Sequence, residues 1–148
     1  MVKNNIIILD MTKDDLLLLK DSLTDEFDDF WTYSILEQEF DNEHTTYVVA
    51  KENDSIVGFA GLQIILDEAT IMNIVTKKSE RKMGIGTLLL ENLIKLAKQK
   101  KLVSITLEVN EKNIPAIKLY EKFKFKQVGT RKKYYNNTDS AILMTLYL

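Results

Sequence analysis

The sequence predicts an α+β fold in which a mixed sheet is flanked by helices. Three observations carry that reading. Short aliphatic runs have strand length, and at 104–110 the alternation is strict: Ile105, Leu107 and Val109 point one way, Thr106, Glu108 and Asn110 the other. One strand leads through Arg81-Lys82-Met83-Gly84-Ile85-Gly86 into the amphipathic run Thr87-Leu88-Leu89-Leu90-Glu91-Asn92-Leu93-Ile94. The element order, βααβββαβαββ, sets consecutive strands beside strand–turn–helix units, which suits a mixed sheet rather than a doubly wound one.

Each element has its own local reason. Residues 6–9 form a short apolar strand. Thr12 suits a helix N-cap, and Asp14 and Asp15 put negative charge in the first turn. Leu16, Leu19 and Leu23 give that helix an apolar stripe. Residues 25–40, with Phe27, Phe30, Trp31, Tyr33 and Phe40, read as a loop followed by a second helix. A strand at 45–51, the turn Glu52-Asn53-Asp54-Ser55 and a strand at 56–66 make a hairpin. Asp67-Glu68 turns the chain into a third strand at 69–76. The next helix runs from Gly84 to about Lys100, and Lys98, Lys100 and Lys101 complement its dipole. A short helix at 113–122 holds Pro115 in its first turn, where no N–H is needed. Strands at 125–130 and 141–148 follow, separated by a polar loop.

At 148 residues the chain reads as one domain, 1–148, without repeat or linker. A chain of this size buries roughly 70% of its unfolded surface and needs no staples. A net charge of −2 makes no electrostatic case for nucleic acid as a direct partner. The absence of cysteine excludes disulfides, thiolate zinc and a cysteine nucleophile, and no metal is expected. No apolar run reaches the roughly 20 residues that span a bilayer. No cleavage pattern follows Met1-Val2-Lys3-Asn4-Asn5, so a cytoplasmic location without membrane contact is expected.

Five features bear on chemistry. The glycine turn at a helix N-terminus offers free N–H groups and the positive end of a dipole, which suit a phosphate or pyrophosphate; a plain connecting turn is the alternative. It lacks the third glycine of a dinucleotide site and the Lys-Ser/Thr of a nucleoside triphosphate loop. Glu108 is a carboxylate in mid-strand, either a general base or a charge facing water. Asn113 and Tyr120 lie near one face of the short helix, where the tyrosine either donates a proton or packs the core. Tyr134 and Tyr135, on the loop between the last strands, either bind a peptide backbone or close a hairpin tip. His44, the single histidine, reads as a surface residue.

Taken together, these segments resemble the GCN5-related N-acetyltransferase superfamily, whose glycine signature is R/Q-x-x-G-x-G/A, and within it the ribosomal-protein-alanine N-acetyltransferase (RimI) family. The resemblance rests on residues 66–74, 81–94 and 107–109, on Asn113-Ile114-Pro115-Ala116-Ile117-Lys118-Leu119-Tyr120-Glu121, and on Arg131-Lys132-Lys133-Tyr134-Tyr135. It implies a mostly antiparallel sheet and acetyl transfer from acetyl-CoA to an amine. Backbone groups of Ile74, Val75 and Thr76 would hold the acetyl carbonyl and pantetheine arm, with a strand N–H near Val75 facing the developing oxyanion. Lys82, Met83, Gly84, Ile85, Gly86 and Thr87 would bind the pyrophosphate, and Asn113 would touch the cofactor. Glu108 would be the base and Tyr120 the acid.

By the same resemblance the acceptor is a protein N-terminus, the alanine that begins the eighteenth small-subunit ribosomal protein. Tyr134 and Tyr135 would bind it, and Asp67 and Glu68 would attract its basic tail. A lysine or small-amine acetyltransferase and a non-catalytic acetyl-CoA-binding module are the rival readings. The chain departs from the family pattern at Asn110, where relatives often have arginine, and at Lys124, where they usually have glycine. The loop after Tyr135 is shorter, and residues 22–45 match poorly.

Overall fold

The computed structural model describes residues 5–27, 32–135 and 138–148, with backbone alone at 133–135. Phe30, Trp31, Asn136 and Asn137 lie outside the described residues. The strands are β1 (Ile6–Asp10), β2 (Thr45–Glu52), β3 (Ser55–Ile65), β4 (Glu68–Thr76), β5 (Ser104–Asn110), β6 (Lys126–Tyr135) and β7 (Asp139–Tyr147). The helices are α1 (Lys13–Leu19), α2 (Leu23–Glu26), α3 (Tyr33–Phe40), α4 (Ile85–Gln99) and α5 (Ile114–Lys122), with one 3-10 turn at Lys78–Glu80. Among the described residues, no helix is long and apolar enough to cross a membrane.

The strands form one sheet in the order β1-β2-β3-β4-β5-β7-β6. Every neighbouring pair is antiparallel except β4 and β5, which the α4 crossover makes parallel. The mixed, mostly antiparallel sheet matches the predicted class.

Local chemistry accounts for the ends of the helices. Thr12 caps α1 in a full capping box with Asp15, so two otherwise orphaned N–H groups are satisfied. Asn113 lies just before α5 and caps it, its side chain accepting from the Ala116 N–H at 3.3 Å. Gly84 likewise precedes α4 rather than opening it, with φ 79°, a conformation glycine alone adopts without strain.

Three differences from the sequence reading have physical causes. The segment before α3 contains a one-turn helix, α2, held by burial of Leu23 rather than by a side-chain cap. The polar residues after Thr130 continue β6 to Tyr135, and β7 begins at Asp139. Tyr134 and Tyr135 therefore belong to a strand end, not to a loop. β6 is the sheet edge, where lysines facing water are ordinary, so polarity there did not mark a turn.

Apolar residues divide between the two faces. On one, Leu89, Leu90, Leu93 and Ala97 of α4 pack on Val48, Ala60, Leu62, Ile105 and Leu107. On the other, Leu16, Leu19, Leu23 and Leu36 from α1–α3 pack on Tyr47, Val49, Phe59 and Val75. Among the described residues, none of β5, β6 or β7 joins this second cluster, and the helices α1–α3 pack on the other strands of that face.

A bulge in β4 creates the opening at the centre of the sheet. Ile71 pairs with Leu62 and Asn73 with Gly61, leaving Met72 as the extra residue. A bulged strand bends, and β4 pairs with β5 only at Glu68, Ala69 and Thr70. Beyond Thr70 and Thr106 the two strands part. The extra residue also inverts the alternation: Ala69 and Ile71 face the α4 core, whereas Val75 faces the α1–α3 core.

Candidate active site

The parted strands expose backbone on the β4 lip. The Lys77 N–H donates to the Val57 carbonyl at 2.8 Å, in register with the pairs Val75–Phe59 and Asn73–Gly61. In an antiparallel ladder, alternate residues turn their N–H groups away from the partner strand. Those residues are Ile74 and Thr76; among the described residues no strand pairs with them on that side, and the isolated bridge from Phe27 to Lys77 lies just beyond Thr76. Of the three residues expected to offer backbone groups, Ile74 and Thr76 thus present N–H donors to the cleft. The Val75 N–H points toward β3, and its side chain is buried.

At one end of the cleft lies the start of α4. Lys82 (φ 66°) and Gly84 (φ 79°) are both left-handed, so the chain doubles tightly before the helix. No side chain caps α4, and its first turn holds no acid. The N–H groups of Ile85, Gly86 and Thr87 have no intrahelical acceptor, and no acid of the helix's own first turn meets the positive end of the dipole. A Cβ on Gly86 would meet nothing within 4 Å, so the backbone there is open to close approach. Met83, half-buried, packs toward the α4 core. These features fit a pyrophosphate.

On the β5 lip, strict alternation sends Leu107 and Val109 into the α4 core and Glu108 to the open face. Oε1 of Glu108 accepts from Nη2 of Arg131 on β6 at 2.9 Å, with side chains 27% and 53% exposed. β7 lies between them: Glu108 pairs with Leu143 and Arg131 with Ala141. On the same face the hydroxyls of Thr106 and Thr145 are 2.9 Å apart. At the end of β5, Asn110 donates to Asp139 at 3.1 Å, and Lys112 pairs with Asp139 at 2.9 Å. Hydrogen bonds from Lys112 and Asn110 hold the Asp139 carboxyl below its usual range, and Asp139 raises the Lys112 ammonium.

The remaining predicted residues sort by place. Tyr120 sits on α5 against the α4 core, its ring 5.9 Å from that of Phe125. Asn113 is exposed and spends its side-chain oxygen on the α5 cap. Asp67 and Glu68 line a hollow with Gln63, Ile65, Leu66 and Thr70 at the closed end of the parted strands. Glu68 and Thr70 stand opposite in phase to Ala69 and Ile71, hence on the Glu108 face. The Tyr134 and Tyr135 side chains lie outside the described residues. His44 is exposed, 3.6 Å from Glu43. The ion pair to Arg131 and the hydrogen bond from Asn73 to Tyr47 at 3.2 Å were not read from sequence. Both join residues on different strands, and no spacing motif links them.

Comparison with known proteins extends this geometry. Residues 16–125 match the acetyltransferase (GNAT) family. The ribosomal protein bS18-alanine N-acetyltransferase of Haemophilus influenzae is 39% identical over 124 residues, covering 80% of this chain and 82% of that protein. The crystal structure of the ribosomal-protein-S18-alanine N-acetyltransferase from Escherichia coli superposes with a TM-score of 0.88 at 28% identity, covering 96% of this chain and 93% of that one. A GNAT family acetyltransferase from Elizabethkingia anophelis, crystallised with acetyl-CoA bound, gives a TM-score of 0.76 at 25% identity, covering 99% and 100% of the two chains. The family match runs from α1 to Phe125 and takes in the parted strands, the glycine turn, Glu108 and Tyr120. This chain therefore belongs to the acetyltransferase (GNAT) family and is an acetyl-CoA-dependent N-acetyltransferase.

Proposed function

We propose that this chain acetylates the α-amine of a protein N-terminus, the N-terminal alanine of ribosomal protein bS18, with Glu108 as base and Tyr120 as acid. The observation that carries the reading is the opening between β4 and β5. It sets N–H donors on one lip and a carboxylate on the other, with the acidic hollow of Asp67 and Glu68 at its closed end. The bS18-alanine acetyltransferases named above supply the acceptor.

Acetyl-CoA brings an activated thioester, so no enzyme nucleophile is needed. The turn from Lys82 to Thr87 holds its pyrophosphate on the free N–H groups of α4. The N–H groups of Ile74 and Thr76 face the acetyl carbonyl and orient it. An α-amine has a pKa near 8 and arrives largely protonated at pH 7. Glu108 removes that proton, directly or through one water. The ion pair with Arg131 keeps the carboxylate pointed along the open face. The Tyr120 hydroxyl then protonates the departing sulfur from the α5 side. Asp67 and Glu68 draw in the basic residues after the acceptor alanine, and Tyr134 and Tyr135 bind its backbone. Asn113, already engaged at the α5 cap, meets the cofactor at the start of that helix. The reaction is soluble chemistry in the cytoplasm and needs neither metal nor nucleic acid.

The test is thiol release with peptides beginning with the bS18 sequence, their N-terminally blocked counterparts and free amines. Release is expected with the free N-terminus and not with the blocked peptide. Equal release from blocked peptides that retain lysine would replace the α-amine by a side-chain amine. Glu108→Gln should lower turnover by about 10²–10⁴-fold at unchanged acetyl-CoA affinity. Unaltered turnover would remove Glu108 from the reaction.

A further inference from the structure

A cation stands beside Glu108, and the chemistry above uses it only as a support. Arg131 of β6 reaches across β7 and donates from Nη2 to Oε1 of Glu108 at 2.9 Å. The register fixes its approach. Glu108 pairs with Leu143, and Arg131 with Ala141, two residues away along β7 and on the same face. The side chain therefore crosses β7 diagonally, and the residue in its own row is the small Ala141. Arg131 is 53% exposed and Glu108 27%, so both ends of the pair are open to a ligand. Lys112, at the end of β5, is engaged elsewhere, 2.9 Å from Asp139, to which Asn110 also donates.

The fold itself has little use for this pair. A half-exposed ion pair adds little to stability, and β6 is already held by its ladder with β7. For a base that must deprotonate an ammonium, a fixed cation is a cost, because the two cations compete for one carboxylate. What else the acceptor brings decides whether that cost is offset. In a peptide N-terminus a carbonyl oxygen stands about 3 Å from the amine nitrogen, across N–Cα–C=O. Beside a lysine ε-nitrogen there are only methylenes. The carboxylate and guanidinium of the pair, 2.9 Å apart, match the amine and the carbonyl in both spacing and sign. A guanidinium carries five N–H donors in a planar fork, a geometry that serves a carboxylate and a carbonyl together.

Resting on the N-terminal acetylation reading, we propose that Arg131 is an acceptor-binding residue that selects α-amines. Its guanidinium donates to the first carbonyl oxygen of the acceptor while Glu108 takes the proton of the amine. Two contacts on one residue then fix the direction of the nitrogen lone pair, toward the β4 lip where Ile74 and Thr76 offer their N–H groups. A side-chain amine satisfies only the carboxylate. It meets the competing cation without the carbonyl that would offset it.

The experiment is a cycle between enzyme and acceptor. It measures kcat/KM of wild type, Arg131→Ala and Arg131→Lys with two acceptors. One is a peptide of the bS18 N-terminal sequence. The other is its alkene isostere, in which a carbon–carbon double bond replaces the first amide and removes the carbonyl oxygen. Any difference in amine basicity is common to all three enzymes and cancels in the cycle. Wild type should prefer the peptide by about 10–100-fold. Arg131→Ala should lose about that factor with the peptide, lose little with the isostere, and keep its acetyl-CoA KM within about twofold. Arg131→Lys keeps the charge without the fork and should recover only part of the preference. A residue that merely supports Glu108 or the sheet lowers both acceptors alike, so equal losses overturn the proposal, as does a wild type that does not distinguish them. If Arg131→Ala does not fold, Arg131→Lys decides by the same ratio. A wild-type enzyme that acetylates only side-chain or small amines defeats the N-terminal reading and this proposal with it. Turnover of the peptide with equal losses defeats the proposal alone.

Discussion

Lys124 adopts φ 75° just past Phe123, the C-cap of α5, in the left-handed region where a side chain crowds its own backbone. The resemblance read from the sequence implies glycine there, and the lysine departs from it. Lys124→Gly should stabilise the protein by up to about 1 kcal/mol by removing that strain. Urea unfolding at constant pH checks it, and a destabilised variant would mean that the lysine makes a compensating contact. Gly84 and Gly61 were equally easy to see as letters, but they answer different demands. Gly84 supplies a positive φ, which a turn before a helix suggests, whereas Gly61 supplies room for Tyr47, a residue on another strand.

At the scale of elements, α1 is tied to the sheet by one buried charge. Lys51 Nζ on β2 lies 2.6 Å from Oδ1 of Asp15, whose side chain is only 4% exposed. Burial raises the Asp15 carboxyl, but hydrogen bonds from Lys51 and Thr12 outweigh it and hold the pKa below the ordinary aspartate range. The folded protein thus binds this proton less readily than the unfolded chain. The resulting stability is present above the ordinary value near 4 and is lost as pH falls through the lower folded value. Unfolding free energies between pH 7 and pH 2.5 should decline more steeply in wild type than in Asp15→Asn. Parallel curves would show that the pair is energetically idle. The same scale explains where element boundaries were legible. β5 alternates cleanly because one face packs on α4 and the other is open, so its ends, Ser104 and Asn110, followed from the pattern. β6 carries little such pattern because it is an edge, and its extension to Tyr135 was not legible.

Across the whole molecule, only three residue pairs join β4 to β5 beneath the opening, with α4 packed across both strands. On the proposed binding mode acetyl-CoA spans that opening and the start of α4, and binding to the folded chain alone should raise its stability. Acetyl-CoA at about a hundredfold over its Kd should contribute about 2.7 kcal/mol, roughly 5–10 °C in melting temperature for a chain of this size. Gly84→Ala forces a side chain into φ 79° and misaims the first N–H groups of α4. It should remove most of that shift, as should pantetheine in place of acetyl-CoA. A full shift in the Gly84→Ala protein would place the anion elsewhere.

The sequence by itself determined what local chemistry and periodicity encode: the strands and helices, the glycine turn before α4, the Thr12 cap, the phase of Glu108 and, through the resemblance, the family. It determined these because neighbours along the chain impose them, through side-chain alternation, backbone torsion and capping. The tertiary structure alone decided what depends on neighbouring strands. A single extra residue at Met72 turns β4 from β5, selects Ile74 and Thr76 as the exposed donors and sets Asn73 over Tyr47, while the β5-β7-β6 order brings Arg131 onto Glu108. Strand order and register bring those groups together, and neither is written in the spacing of any one segment.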